Sequence, residues 1–122
     1  MLPERLKAES VCDVETIGRR SGRARVVEIW FAADPLRDRI YLLSGGREAA
    51  HWVRNMRAQR RVRVRFGGQW FPGVASEIEG EEDEALARQL LAAKYQAWRE
   101  GRPLSGWARR SLPVAIDLDM SR

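Results

Sequence analysis

Arg61-Val62-Arg63-Val64-Arg65-Phe66, followed directly by Gly67-Gly68, is the stretch whose reading decides the fold. A cation alternates with an apolar residue without interruption, which is the two-residue period of a strand with one wet face and one buried face. Gly67-Gly68 then supplies a tight hairpin turn. Gln69 to Ile78 reads as the partner strand, and Pro72-Gly73 within it marks a bulge or an edge position. Working outward, Val11 to Ile17 and Arg25 to Ala33 read as two further strands, the second rich in β-branched and aromatic residues. Asp34-Pro35 with Asp38 forms a turn, and Arg39 to Ser44 is a strand around Ile40-Tyr41-Leu42-Leu43. Gly45-Gly46 breaks it. Arg47 to Gln59 reads as a helix with Trp52 and Met56 one turn apart. Glu81 to Glu100 is the clearest helix, with Leu86, Leu90 and Ala93, together with Leu91, Tyr95 and Trp98, facing the core and with Gly101 and Pro103 as stops. Leu104 to Arg110 is a loop or short helical piece, and Leu112 to Leu118 a last strand. Hairpins dominate. The expected fold is α+β, mainly β: a six-stranded antiparallel barrel whose openings are covered by two helices, or three if the piece at 104–110 is helical.

A chain of 122 residues with 44% hydrophobic content suits one domain over residues 1–122 with one core. No run approaches the roughly 20 apolar residues that span a bilayer. Met1 to Ser10 lacks the apolar centre of a signal peptide, so the expected location is the cytoplasm. Cys12 is the only cysteine and His51 the only histidine, which excludes an internal disulfide and a structural zinc cluster. The net charge of +5 favours anionic partners: nucleic acid, acidic lipid or a polyanionic cofactor. Basic residues gather in two blocks, Arg19 to Arg25 and Arg54 to Arg65. Glu77 to Glu84 is acidic and opens a helix, where carboxylates favour the positive dipole end.

Gly18-Arg19-Arg20-Ser21-Gly22, with Arg23 and Arg25 next, is the first candidate site. Guanidinium groups stay protonated and grip phosphate or carboxylate through paired hydrogen bonds. The plain alternative is a solvated basic turn at a hairpin tip. Ser44-Gly45-Gly46 ends a strand before a helix carrying His51, Trp52, Arg54, Asn55 and Arg57, and backbone N–H groups at such a corner are anion ligands. Met56 and Arg57 there read equally well as core and wet face. Trp30 either stacks on an aromatic cofactor or fills the barrel. Tyr95, Trp98 and Trp107 either line a substrate pocket or belong to the core. Glu28, inside an apolar strand, faces solvent or the pocket. No nucleophile elbow or dense titratable cluster is present, so a bound cofactor would have to carry any reaction.

With both motifs in place, the chain resembles the deazaflavin (F420)-dependent nitroreductase family, a branch of the split β-barrel flavin and deazaflavin oxidoreductases. The family pattern runs T-x-G-R-K/R-S/T-G-x-x-R, a hydrophobic strand, a glycine corner, then W-x-x-N-L/M on a helix. Here these are Thr16 to Arg25, Val26 to Phe31, Ser44-Gly45-Gly46 and Trp52-Val53-Arg54-Asn55-Met56, and the match covers residues 12 to 80 best. The resemblance implies the FMN-binding split-barrel fold and coenzyme F420, a deazaflavin with a phosphate and a glutamate tail. Arg19, Arg20, Ser21 and Arg25, within the Gly18 to Gly22 turn and its flank, match positions that hold the acidic parts. Val26, Val27, Glu28 and Trp30 match the strand along the ring. Ser44, Gly45 and Gly46 match the corner against its other side, and His51, Trp52 and Asn55 the helix at the phosphate end. Tyr95 is the candidate proton donor. The implied activity is hydride transfer from C5 of the reduced ring to a quinone, nitroaromatic or activated alkene. Two departures stand out: Ser44 runs straight into Gly45 where relatives carry a basic residue, with Arg47 as a substitute, and Glu28 replaces a proline.

Three alternatives remain at this stage. An enzyme of the same fold would use FMN. A cofactor carrier would bind without turnover. A nucleic-acid module would use the Arg61 to Arg65 strand, although those arginines are already explained as a wet face and no nucleic acid is expected. The expected partners are a small-molecule substrate, the deazaflavin or flavin, and a second copy of the chain, as barrels of this class often dimerise.

Overall fold

Among the described residues, seven strands lie in one antiparallel sheet: Cys12–Ile17 (β1), Ala24–Ile29 (β2), Ala32–Ala33 (β3), Arg39–Ser44 (β4), Arg61–Phe66 (β5), Gln69–Glu77 (β6) and Leu112–Leu118 (β7). The structure is a computed structural model and describes residues 2–121. The spatial order is β2-β1-β5-β6-β7-β4-β3. Its two ends, β2 and β3, are separated in sequence only by Trp30 and Phe31. That link reaches about 11 Å at most, whereas the edges of a flat sheet of this size would stand about 29 Å apart. The sheet must therefore curl on itself, and the antiparallel split barrel follows. The single strand expected over 25–33 is two strands for the same reason. At Trp30 the chain leaves one edge of the sheet and joins the other, which raises the count from six to seven.

The barrel interior is filled by one face of each long strand. Val62, Val64 and Phe66 point inward from β5 while Arg61, Arg63 and Arg65 stay exposed. They meet Val14, Phe31, Ile40, Leu42, Phe71, Val114 and Ile116. Among the described residues there are four α-helices, Glu4–Lys7 (α1), His51–Ala58 (α2), Glu81–Gln96 (α3) and Gly106–Arg110 (α4), with a 3-10 turn at Arg47–Ala49 before α2. Leu2 and Leu6 at α1, and Val53 and Met56 of α2, join the interior cluster. Only α1 and α2 close the barrel. The longest helix, α3, lies instead on the outer face of β3, β4 and β7, where Ala87, Leu91 and Ala92 cover Ala32, Tyr41, Leu43 and Ala115. This second core explains why β4 is apolar throughout: Ile40 and Leu42 face in, and Tyr41 and Leu43 face α3. Burying a side chain such as Leu91 fully is worth about 1.5–3 kcal/mol.

Several local expectations are corrected. The N-terminal segment contributes a short helix. Ala93 is exposed rather than in the core. Helix α3 stops at Gln96 because Ala97 turns left-handed (φ 55°), ahead of Gly101 and Pro103. Pro72 and Gly73 form no bulge: their pairing with Arg63 and Val62 runs in continuous register through a central strand. Gly73 is there for close approach. A Cβ on it would meet Ile116 Cγ2 at 2.7 Å and the Asp117 carbonyl at 3.0 Å.

Candidate functional site

The loop between β1 and β2 is built by its own backbone. Gly18 N–H donates to the Arg23 carbonyl at 2.7 Å, and Gly22 N–H to the Gly18 carbonyl at 2.8 Å. Ser21 Oγ accepts from Arg23 N–H at 3.1 Å. Gly22 takes the left-handed φ of 71° that this closure needs. Helix α2 locks the loop from below. Asn55, only 4% exposed, accepts from Arg19 N–H at 3.2 Å and Arg19 Nη1 at 2.8 Å through Oδ1. Its Nδ2 donates to Thr16 Oγ1 at 3.3 Å. Arg19 Nη2 also contacts His51 Nδ1 at 3.3 Å. A guanidinium only donates, so Nδ1 is the acceptor and the ring proton belongs on Nε2.

A cavity of about 450 Å³ opens beside this loop, lined by Gly18, Arg19, Arg20, Ser21, Arg25, Val26, Val27, His51, Trp52 and Asn55 together with Thr16. No carboxylate is among the lining residues. Among the described residues, Arg19, Arg20, Arg23 and Arg25 form no ion pair, in contrast with three arginines of the second basic block. There Arg57 pairs with Glu77, Arg63 with Glu15 at 2.8 Å and Arg65 with Asp13 at 2.7 Å. Arg63 and Arg65 also lie 4.6 and 4.8 Å from the centre of the Trp70 ring. The charges of Arg63 and Arg65 on the strand are thus met by neighbouring acids, and those of Arg19, Arg20 and Arg25 in the loop are left facing a cavity. Glu15 is held below the usual carboxylate range, chiefly by its hydrogen bond from Arg63.

The remaining candidates lie elsewhere. Glu28 and Trp30 line a second cavity of about 460 Å³, with Val11, Ile29, Leu43, Gln96 and Trp107. Trp30 stacks on Tyr95 with ring centres 4.3 Å apart and planes within 4°, and it meets Trp107 edge to face at 5.4 Å. Ser44, Gly45 and Gly46 border neither the arginine loop nor its cavity. Ser44 Oγ donates to the Arg47 carbonyl at 3.1 Å, and Gly45 lies against Trp107. Gly22 shapes the loop without lining the cavity. Arg47 does not replace the missing basic residue at the corner, because its guanidinium donates to the Arg110 carbonyl at the end of α4. Met56 is core and Arg57 is paired, so neither belongs to the site.

Tyr95 is placed differently from the proton donor expected. Its hydroxyl accepts from Phe31 N–H at 3.0 Å and lies 2.9 Å from the carbonyls of Ser10 and Phe31. Its single proton is engaged by backbone, it lines neither cavity, and burial raises its pKa despite the Phe31 bond. It acts as a pin. Lys94, which no motif or periodicity singles out, is its partner. Its Nζ donates to the carbonyls of Lys7, Glu9 and Phe31 at 3.1, 2.8 and 3.0 Å, using all three protons. Burial lowers its pKa. Together the two residues fasten α3 to the crossing where the sheet closes. Cys12 is buried and its thiol is pushed up to about 12 by burial, so it is no nucleophile.

Among the described residues no group of three or more potential ligands for a metal is found, and no helix is long and apolar enough to cross a membrane. A family model described as F420H(2)-dependent quinone reductase matches residues 3–119. Among solved structures, an F420-H2 dependent reductase (FDR-A) is 26% identical, with 90% of this chain covering 94% of that one at a TM-score of 0.64. A Bacteroides thetaiotaomicron protein, named for a proposed role in 5-nitroimidazole antibiotic resistance, shares the fold at a TM-score of 0.74, 18% identity and coverage of 95% and 77% of the two chains. A third, described as a domain-swapped dimer, is 24% identical at a TM-score of 0.64, covering 90% of this chain and 80% of its own. No curated protein matches.

Proposed function

This chain belongs to the F420H(2)-dependent quinone reductase family, and from that membership we propose that it binds the reduced deazaflavin in the arginine-lined cavity and passes a hydride to a small organic acceptor such as a quinone, nitroaromatic or activated alkene. One observation carries this: four loop arginines without ion pairs among the described residues, three of them lining a cavity that holds no carboxylate. The donor set suits the coenzyme, whose phosphate and glutamate tail are anionic. When bound, the coenzyme supplies the hydride at C5 of its reduced ring; the protein supplies placement and charge.

Arg20 and Arg25 are the free grips for acidic groups, and Ser21 is a hydroxyl ligand at the turn. Arg19 is pre-set by Asn55 and His51, so it loses little freedom on binding. Val26 and Val27 offer an apolar flank for a flat ring, and Trp52 extends it. A homodimer is part of the same proposal: the outer edge of β2 is unpaired and exposed, with Val26 at 54%, and light scattering of the purified chain measures it.

The test is a fluorescence titration of the protein with the coenzyme, with FMN run in parallel. Binding at tens of micromolar or tighter is expected, and its absence overturns the proposal. Arg20→Ala and Arg25→Ala each weaken binding by about 1.5–3 kcal/mol, the worth of a hydrogen bond to a charged group. Unchanged affinity in both variants removes the anion clamp.

A further inference from the structure

We propose, resting on the reductase reading above, that Arg47 is a positioning residue for the coenzyme cavity. It fixes the start of α2, and with it His51, Trp52 and Asn55, against the end of α4. Arg47 holds a left-handed φ of 50°. That conformation is costly for a residue with a side chain and persists only where the surroundings enforce it. Among the described residues the other non-glycine of this kind is Ala97, which ends α3, where a left-handed cap is ordinary. Arg47 ends no helix. It opens the 3-10 turn between β4 and α2. Gly45 to Ala49 are all exposed, so the turn buries no apolar surface that would account for the strain. A glycine would take the same φ freely, and the arginine is explained by what its side chain reaches.

The Arg47 carbonyl joins the two flanking elements. Ser44 Oγ, at the end of β4, donates to it at 3.1 Å, and Ala50 N–H, just before α2, donates to it at 3.4 Å. Arg54 of α2 reaches back to the Glu48 carbonyl at 3.2 Å. The Arg47 guanidinium leaves the turn and donates to the Arg110 carbonyl; its contact with Glu48 at 3.5 Å is an exposed pair of little worth. Arg110 stands on a fixed post. Arg88 of α3 donates through Nη1 to the carbonyls of Ala108 and Ser111, on either side of Arg110, at 2.8 Å each, and is itself held by Glu84 at 3.1 Å. Trp107 of α4 also lies against Gly45. Helix α3 thus braces α4, α4 braces the turn, and the turn sets the start of α2. His51 and Trp52 are the first two residues of α2, and Asn55 follows one turn later. All three line the cavity, and His51 and Asn55 hold Arg19. A loosened α2 start would therefore release Arg19 and move the cavity wall, and binding would have to supply the lost order.

Amide hydrogen exchange of the protein without coenzyme, read by mass spectrometry, tests the positioning. Arg47→Gly keeps the left-handed backbone and removes the guanidinium. It is expected to speed exchange in α2 about threefold or more, the scale on which residues without ligand contact modulate a site. Exchange in β5 and β6 stays unchanged, and the melting temperature stays within about 4 °C of the wild type. Arg47→Lys, which keeps a cationic donor, restores slow exchange in α2. In the fluorescence titration Arg47→Gly weakens coenzyme binding by about the same factor, and Arg47→Lys restores it. Unchanged exchange in α2 of Arg47→Gly, or an equal rise in β5 and β6, overturns the proposal. So does full coenzyme affinity in a variant whose α2 is loosened. Absence of coenzyme binding by the wild-type protein overturns the reductase reading instead, and the exchange comparison, made without coenzyme, still decides whether Arg47 holds α2.

Discussion

Replacing Asn55 by Ala removes the acceptor of two Arg19 donors and the donor to Thr16, at a position 4% exposed. The Thr16 hydroxyl and the Arg19 N–H lose their partner, so Asn55→Ala should cost about 1–3 kcal/mol of stability in urea denaturation. It should also weaken coenzyme binding at a temperature where the variant is fully folded, because Arg19 is no longer held. An undiminished affinity would show that Arg19 needs no positioning. Asn55 was visible in the sequence through its spacing from Trp52. Its partner was not, since the bond to Arg19 spans 36 residues and nothing local announces it. The loop arginines were legible for the opposite reason: glycines and cations in one short turn define a local device. Glu28 and Trp30 were grouped with that device by strand adjacency, and the strand carries them past it to another cavity.

At the scale of elements, α3 is tied to the crossing between β2 and β3 by adjacent side chains. Lys94→Met leaves three carbonyls without their ammonium donor and should cost about 2 kcal/mol or more. Tyr95→Phe should cost about 1 kcal/mol, read as a lowered melting temperature. It should leave turnover per folded molecule and its pH profile unchanged, and a large loss of turnover would restore Tyr95 as an acid. Strands β4, β5 and β7 were legible to the residue because alternation or unbroken apolarity is local. The break at 30–31 was not. It comes from a change of sheet edge, which is a property of the closed barrel. The role of α3 was similarly hidden, since its apolar stripe specifies a buried face without saying which surface buries it.

At the scale of the whole molecule, the turn before β4 contributes to both limbs of the pH response. Asp34, 3% exposed, accepts from the Tyr41 hydroxyl, from the N–H groups of Leu36 and Arg37 at 2.8 and 3.0 Å, and from the Arg37 side chain. Burial works to raise its pKa, but the donors from Tyr41, Leu36 and Arg37 outweigh it and hold the carboxyl below its usual range. A lowered folded pKa stabilises above the unfolded value near 4 and is lost as the pH falls through the folded value. Glu15 adds in the same direction. Tyr41 has the opposite sign. Burial and the bond to Asp34 raise it from 10.0 to about 12, so its contribution is complete below 10 and disappears as the pH rises through about 12. Cys12, raised from 9.0 to about 12 by burial, has the same sign as Tyr41 and starts the alkaline fall, so urea midpoints should hold from above about 4 to about 9 and fall outside that range. Asp34→Asn should flatten the acid limb, and an acid limb unchanged in that variant would assign the loss to other carboxylates. The total charge was legible as a number, but its sorting into paired and unpaired arginines was not, because the pairing acids Asp13, Glu15 and Glu77 come from other strands.

The position of β7 between β6 and β4 sets the order of events during synthesis. Without Leu112–Leu118 the chain holds two separate pieces, β2-β1-β5-β6 and β4-β3, with no ladder between them. A ribosome must therefore release Leu112–Leu118 before the hoop can be completed, and a nascent chain stalled short of Leu112 should remain open to protease however long it waits.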